Sequence, residues 1–448
     1  MTACGRHDGI ARIEGNMRRI PKRVMIISLD AVGRSDLEFM KTLPNFKKFF
    51  DGAALCTHVN SVYPSLTYPA HTSIITGRMP KNHGVINNTR LQPKRERPDW
   101  IYQRKWIRGT TLYDEAKKKG METAALLWPV VGRSKIKYAV PEVMVTRKWQ
   151  NQVMVNAVNG PVRYQLDLNR RFGHLRDGIR QPALDNFIQA GALYTIRKYN
   201  PGLFLLHLTD VDTNRHIYGV HHEKAKDALR RHDERIGEIM TALSETGDMN
   251  DTSVIILGDH YQKDVKEIAY VNYFLLQEGL IRVKDGRIAD WQAFAKTCDG
   301  SCYVYLNDGG RKNNALEAKV RRLVDGLAAR ADFGIGKVFE GREAAALGAD
   351  PCCFLMLEAK DGWIFLDDWE QERKNVKEEK SHFVRGTHGY LPQGEEYQTF
   401  FAAKGCGIRP CVVDREIALW DEGVTIAALM ELDLGKADGR IIEEILEE

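Results

Sequence analysis

The chain has 448 residues, of which 43% are hydrophobic and 28% charged. This ordinary globular composition excludes a disordered or fibrous protein, and at about 150 residues per domain the length allows roughly three units or one large α/β domain with an insertion. Lysine plus arginine exceeds aspartate plus glutamate only slightly, 65 against 60. The excess reads as spread along the chain, which excludes a dedicated nucleic-acid-binding module.

Residues 1–22 are polar and basic and form an expected flexible tail. They lack the apolar core of a signal peptide. With eight cysteines and no such leader, the expected setting is cytoplasmic, with reduced thiols and no membrane partner. Cys298 and Cys302 are spaced as a metal pair would be, but no second pair of finger-like spacing accompanies them.

The run V-M-I-I-S-L-D, residues 24–30, predicts a buried parallel strand with Asp30 at its carboxyl end. The segment from Tyr63 to Gly77 reads as a loop followed by a helix over 70–76, with Pro69 in its first turn and Gly77 at its stop. Thr67 then lies at the helix N-terminus, where the dipole favours an oxyanion. Its alternative reading is a helix-capping hydroxyl, and Ser65 and Thr72 are competing hydroxyls. A helix is expected over 111–119, a strand over 124–128 and a long helix over 184–198.

Two further strands, 203–208 and 254–257, lead into Thr209-Asp210-Val211-Asp212 and Gly258-Asp259-His260. Strands alternating with helices predict a mostly parallel sheet, whose ligands gather at the carboxyl ends of the strands. Three strands ending in aspartate is the organising feature of this sequence. Asp212 and His216 stand four apart, and His388 sits in G-T-H-G-Y, where flanking glycines let backbones approach closely. Three aspartates and three histidines exceed the needs of one tetrahedral ion and suit two. Two metals about 4 Å apart are a recurrent solution for phosphoryl transfer.

Residues 271–281 predict an amphipathic core helix. Residues 284–384 change texture, with short strands near 302–306, 352–357 and 362–366, and read as an inserted α+β cap. A strand at 399–403 and a helix at 425–432 return to the core. The expected organisation is therefore a tail (1–22), a first core part (23–283), the cap (284–384) and a second core part (385–448).

Taken together, residues 24–32, 63–88, 210–219, 258–260 and 386–390 resemble the alkaline phosphatase superfamily, and within it the nucleotide pyrophosphatase/phosphodiesterase family. The resemblance implies an alkaline-phosphatase-like core and hydrolysis of phosphodiester or pyrophosphate bonds, of nucleotides, through a phosphothreonine intermediate. Thr67 matches the nucleophile. Asp30, Asp259, His260 and the Thr67 oxygen match one metal site, and Asp212, His216 and His388 the other, with zinc as the expected ion and manganese the alternative. Asn88 matches the asparagine that donates to a phosphoryl oxygen, and Tyr68 the aromatic position that stacks on a base.

Two positions depart from the pattern. Tyr261 stands where the family usually has glycine and is expected to narrow the cleft. Arg215 also replaces a frequent glycine and is expected to point to solvent. Alternatives on the same core are a phosphomonoesterase, a phosphonate hydrolase or an inactive binding protein. A sulfatase is excluded because S-L-T-Y-P lacks the arginine of the C/S-x-P-x-R element.

Overall fold

A computed structural model describes residues 19–307, 313–379 and 384–447. Most of the expected tail lies outside the described residues. At its end, Arg19 is ion-paired with Glu447 and Lys22 with Asp251.

The architecture is a nine-stranded mixed sheet with helices on both faces. Six of its strands are β1 (Arg23–Leu29), β2 (Ala54–Asn60), β3 (Thr123–Leu126), β4 (Tyr138–Val140), β5 (Leu203–Leu208) and β6 (Thr252–Gly258). The spatial order is Cys411–Val413, β2, Thr399–Gly405, β6, β1, β5, β3, β4, with Ile417–Ala418 also paired to β2. The Thr399–Gly405 strand runs antiparallel to both neighbours, and the rest of the pairings are parallel.

The apolar run of β1 follows from covering both faces of the sheet. Val24 and Ile26 join one core with residues of the Thr67–Thr76, Leu112–Lys118 and Leu419–Leu429 helices. Met25, Ile27 and Leu29 join the other, with residues of the Ala183–Tyr199 and Glu223–Glu245 helices. At roughly 1.5–3 kcal/mol for each fully buried aliphatic side chain, these alternating contacts fix the register of the strand.

That register decides where the chemistry lies. Leu29 pairs with Leu208 of β5 and Gly258 of β6. The next residues along the three strands are Asp30, Thr209 and Asp259, so the carboxyl edge brings them side by side.

A third apolar core joins Tyr261, Ile268, Phe294, Val304 and Leu357. It packs a four-stranded antiparallel sheet within residues 293–359. A three-stranded sheet combines Trp363–Phe365 and Arg373–Asn375 with Glu267–Ala269, so the small sheets draw on chain from before residue 284. The amphipathic run from Val271 stops at Gln277, because the chain turns at Gly279 (φ 69°) and Ile281 begins a strand. The last helix spans Leu419–Leu429 rather than 425–432, since Asp421 satisfies the Ala418 N–H and starts it earlier. Cys298 and Cys302 are buried free thiols, and Cys298 takes a hydrogen bond from Asn87. No helix among the described residues is long and apolar enough to cross a membrane.

Candidate active site

The turn after β1 is tight. Ala31 adopts φ 59°, a left-handed conformation uncommon for a residue with a side chain. It aims the Ala31 N–H at Asp259 Oδ1, 3.1 Å away. Asp30, Asp259 and His260 therefore meet in a buried cluster whose ligand atoms lie within 4.8 Å of one another. His260 Nε2 is 3.2 Å from Asp259 Oδ2 and 3.5 Å from Asp30 Oδ1.

Thr67 opens its helix, which begins three residues earlier than expected, and the extended residue Leu66 precedes it as N-cap. The hydroxyl is therefore not the cap. Its Oγ1 instead lies 3.1 Å from His260 Nε2. Asn88 Oδ1 accepts the Tyr68 N–H at 3.0 Å, which ties the Asn88 loop to the first turn of that helix.

The second cluster has a different origin. Asp212 and His216 lie one turn apart on the Asp210–Tyr218 helix, 3.2 Å between Oδ1 and Nε2. His216 Nδ1 donates to the Gly386 carbonyl at 2.7 Å, and Gln262 donates to Asp212. His388 completes the group, all ligand atoms again within 4.8 Å. Its ring centroid is 4.2 Å from that of His260, so the clusters adjoin. Gly389 is required beside it: φ is 86°, and a Cβ there would meet the Cys298 carbonyl oxygen at 1.7 Å.

The electrostatics fit a cationic guest. Burial, with Asp212 nearby, pushes Asp30 up to about 7. Burial and the Asp30 carboxylate push Asp259 well above the usual range. Burial and His388 hold His260 well below an ordinary imidazole. In the second cluster His216 overcomes burial and holds Asp212 low, and Asp212 in turn lifts His216 to about 9. Asp30 Oδ1, Asp259 Oδ2 and His388 Nδ1 are buried without a hydrogen-bond partner. Buried carboxylates and neutral imidazoles with unused acceptor atoms are the donor set that divalent ions require.

Two side chains behave differently from expectation. Arg215 does not point to solvent. It is 2% exposed, with its guanidinium on Asp36 and 4.6 Å over the Tyr261 ring. Its position faces inward on the helix, and Asp36 supplies the countercharge that makes burial tolerable. Tyr68 is fully buried, edge-on to Trp100 at 5.2 Å, and so presents no open face to a stacking base. Tyr261 is also buried, packed against Gly33 and Arg215. His221 and His222 are exposed.

Sequence reasoning passes over two supporting histidines. His207, the polar break in L-F-L-L-H-L, sets Nε2 3.1 Å from Asp30 Oδ2 and Nδ1 3.1 Å from the Leu127 carbonyl. His71, whose sequence context suggests a packing or capping role, bonds the Thr67 carbonyl at 2.9 Å and lies 3.5 Å from Asp259. A lone histidine in an apolar strand is the available signal for the first; the second carries none.

Known proteins share this arrangement of chain. The sequence profile of the type I phosphodiesterase / nucleotide pyrophosphatase family matches residues 24–391. Human ectonucleotide pyrophosphatase/phosphodiesterase family member 1 is 24% identical over 240 residues, 52% of this chain and 23% of that protein. An ectonucleotide pyrophosphatase/phosphodiesterase of Caenorhabditis elegans is 25% identical over 398 residues, 85% of this chain and 39% of its own length. The chain thus spans less than half the length of these curated relatives. The structure of murine ectonucleotide pyrophosphatase/phosphodiesterase 5 superposes with a TM-score of 0.66 at 16% identity, covering 95% of this chain and all of that one. At that identity the likeness speaks for the fold. An inactive variant of the same murine protein has been solved in complex with AMP. The profile match takes in every candidate residue from Asp30 to His388, and the chain belongs to the type I phosphodiesterase / nucleotide pyrophosphatase family.

Proposed function

We propose that this protein hydrolyses phosphodiester or pyrophosphate bonds of nucleotide-containing substrates through a phosphothreonine intermediate at a two-metal site. The observation that carries the reading is the meeting of two His/Asp clusters beside one helix-terminal hydroxyl, Thr67 Oγ1. Asp30, Asp259, His260 and the Thr67 oxygen would hold one ion, and Asp212, His216 and His388 the other; the mixed donors favour zinc, with manganese the alternative. Bound there, the ions supply the positive charge that ionises a hydroxyl and neutralises phosphoryl oxygens.

The chain's own groups do the rest. Thr67 Oγ1 attacks phosphorus in line, and the bond to the leaving oxygen breaks as the phosphothreonyl bond forms. Water then displaces the threonine oxygen and releases the second product. Asn88, whose Oδ1 is held by the Tyr68 N–H, keeps its amide hydrogens for a non-bridging oxygen. The complex of the murine relative with AMP supports a nucleotide substrate. Because Tyr68 is covered, a base would be gripped by a side chain other than Tyr68.

The test assays a p-nitrophenyl phosphodiester beside the matching monoester, with metals counted by elemental analysis. Thr67→Ala should lower diester turnover at least ~10³-fold at unchanged metal content. A Thr67→Ala protein of normal activity would remove the nucleophile assignment. Protein purified without metal would remove the two-metal centre. Monoester preference would keep the centre and change the reaction.

A further inference from the structure

Exposed apolar side chains are concentrated in one stretch of the molecule. Of the thirteen large ones among the described residues, eight lie between Trp149 and Ile179. Trp149 is 77% exposed, Val153 61%, and Val158 and Leu166 59% each. Trp149 lies in the turn just before two short helices, Gln152–Asn159 and Val162–Phe172, and Val153, Val158 and Leu166 stand on the outer sides of those helices. The inner sides of those helices already bury Val155, Tyr164 and Leu168. The outer apolar groups therefore satisfy no packing need of the fold. A monomer surface rarely carries such a concentration without a partner.

Charge follows the same stretch, which corrects the expectation of an even spread. Residues 147–180 hold seven arginines and lysines and two aspartates, a formal charge of +5. This equals the net charge of the entire chain, so everything outside the stretch balances. Both aspartates are already paired, Asp167 with Arg171 and Asp177 with Arg180. Lys148, Arg163 and Arg170 are exposed and enter no ion pair among the described residues.

We propose that this face docks onto an anionic lipid surface. Short helices with exposed aliphatic side chains, flanked by an exposed tryptophan and unpaired basic residues, have the composition of interfacial membrane binders. A second copy would bring the same positive charge to the contact, which disfavours self-association. The proposal departs from the expectation of no membrane partner. It is independent of the proposed catalysis, because none of these residues belongs to the candidate active site.

The test is flotation of the full chain with phosphatidylcholine vesicles containing about one-third phosphatidylglycerol, against pure phosphatidylcholine, at low and high salt. Binding to the anionic vesicles should exceed that to neutral ones at least ~5-fold and fall with salt. Val153→Asp/Val158→Asp/Leu166→Asp should lose it at least ~10-fold, with turnover of a soluble p-nitrophenyl diester unchanged. Should that variant fail to fold, Arg163→Glu/Arg170→Glu, altered only on exposed side chains, tests the same surface. Equal binding to both vesicle types, or binding that survives these variants, overturns the proposal. So does a concentration-dependent dimer that the apolar variant abolishes, which would make the face a contact between copies.

Discussion

Asp30, Asp259 and His260 stand directly at the ends of two neighbouring strands in the middle of the sheet, each 3% exposed or less. Asp212 and His216 instead ride on a peripheral helix, with side chains 16% and 13% exposed, and His388 arrives on a distant loop. The first cluster is held by the Ala31 N–H and the His71 and His207 rings, all in the sheet or packed on it. The second depends on Gln262 and the Gly386 carbonyl, where the small sheets meet the helix. Strand pairing alone assembles the first half, whereas the second exists only while separate parts of the chain stay docked. The inner half should therefore keep its ion longer and matter more.

The largest effect tests that asymmetry directly. Asp259→Asn removes a carboxylate beside the proposed nucleophile and should lower turnover on the order of 10⁴-fold, with loss of about one metal per chain. His216→Ala should cost about 10²–10³-fold and leave the inner ion in place. Elemental analysis of both variants, alongside activity, decides the matter. Equal metal loss in the two would break the distinction.

The next prediction concerns what holds the outer half to the sheet. Arg215 sits between Asp212 and His216 and is anchored on buried Asp36. Arg215→Met leaves that carboxylate without its partner and should destabilise the protein by about 3–5 kcal/mol in urea unfolding. Asp36→Asn added to it should recover a large part of the loss, since the stranded charge is then gone. A single-variant cost below about 1 kcal/mol would mean that the pair carries no such role.

These residues also show why part of the site is legible in the sequence. Each strand-end carboxylate follows its own β-branched run, and a parallel register places such ends together whatever surrounds them. The Asp212 and His216 spacing is equally local, because four residues make one helical turn. Arg215 and Tyr68 escape such reading because burial depends on what arrives from elsewhere: Asp36 and Tyr261 for one, Trp100 for the other. His207 is silent for the same reason, since Leu127 and Asp30, which its ring nitrogens contact, lie 80 and 177 residues away, and Glu142 is also remote in sequence. The charge excess hides in a count over the whole chain, where one basic stretch and a balanced remainder look uniform.

A smaller and pH-dependent effect probes the loop that carries His388. Three residues beyond it, the Leu391 N–H donates to Glu358 Oε1 at 2.8 Å, and the Tyr63 hydroxyl donates to Oε2 at 3.0 Å. Burial outweighs both bonds and pushes Glu358 from 4.5 up to about 7. Between those values the folded protein holds a proton that the unfolded chain releases. The stability this confers is complete below about pH 4.5 and is lost as pH rises through 7. At roughly 1.4 kcal/mol per unit, about 2–3 kcal/mol should drain from the wild type between pH 5 and 8 through this one group. Glu358→Gln cannot ionise, so its unfolding free energy should fall less over that range, and the two curves should diverge toward alkaline pH. Parallel curves would show that Glu358 ionises in the folded protein as it does in water. The loop would then be held without a neutral acid, and the outer half would be less dependent on its docking than its construction implies.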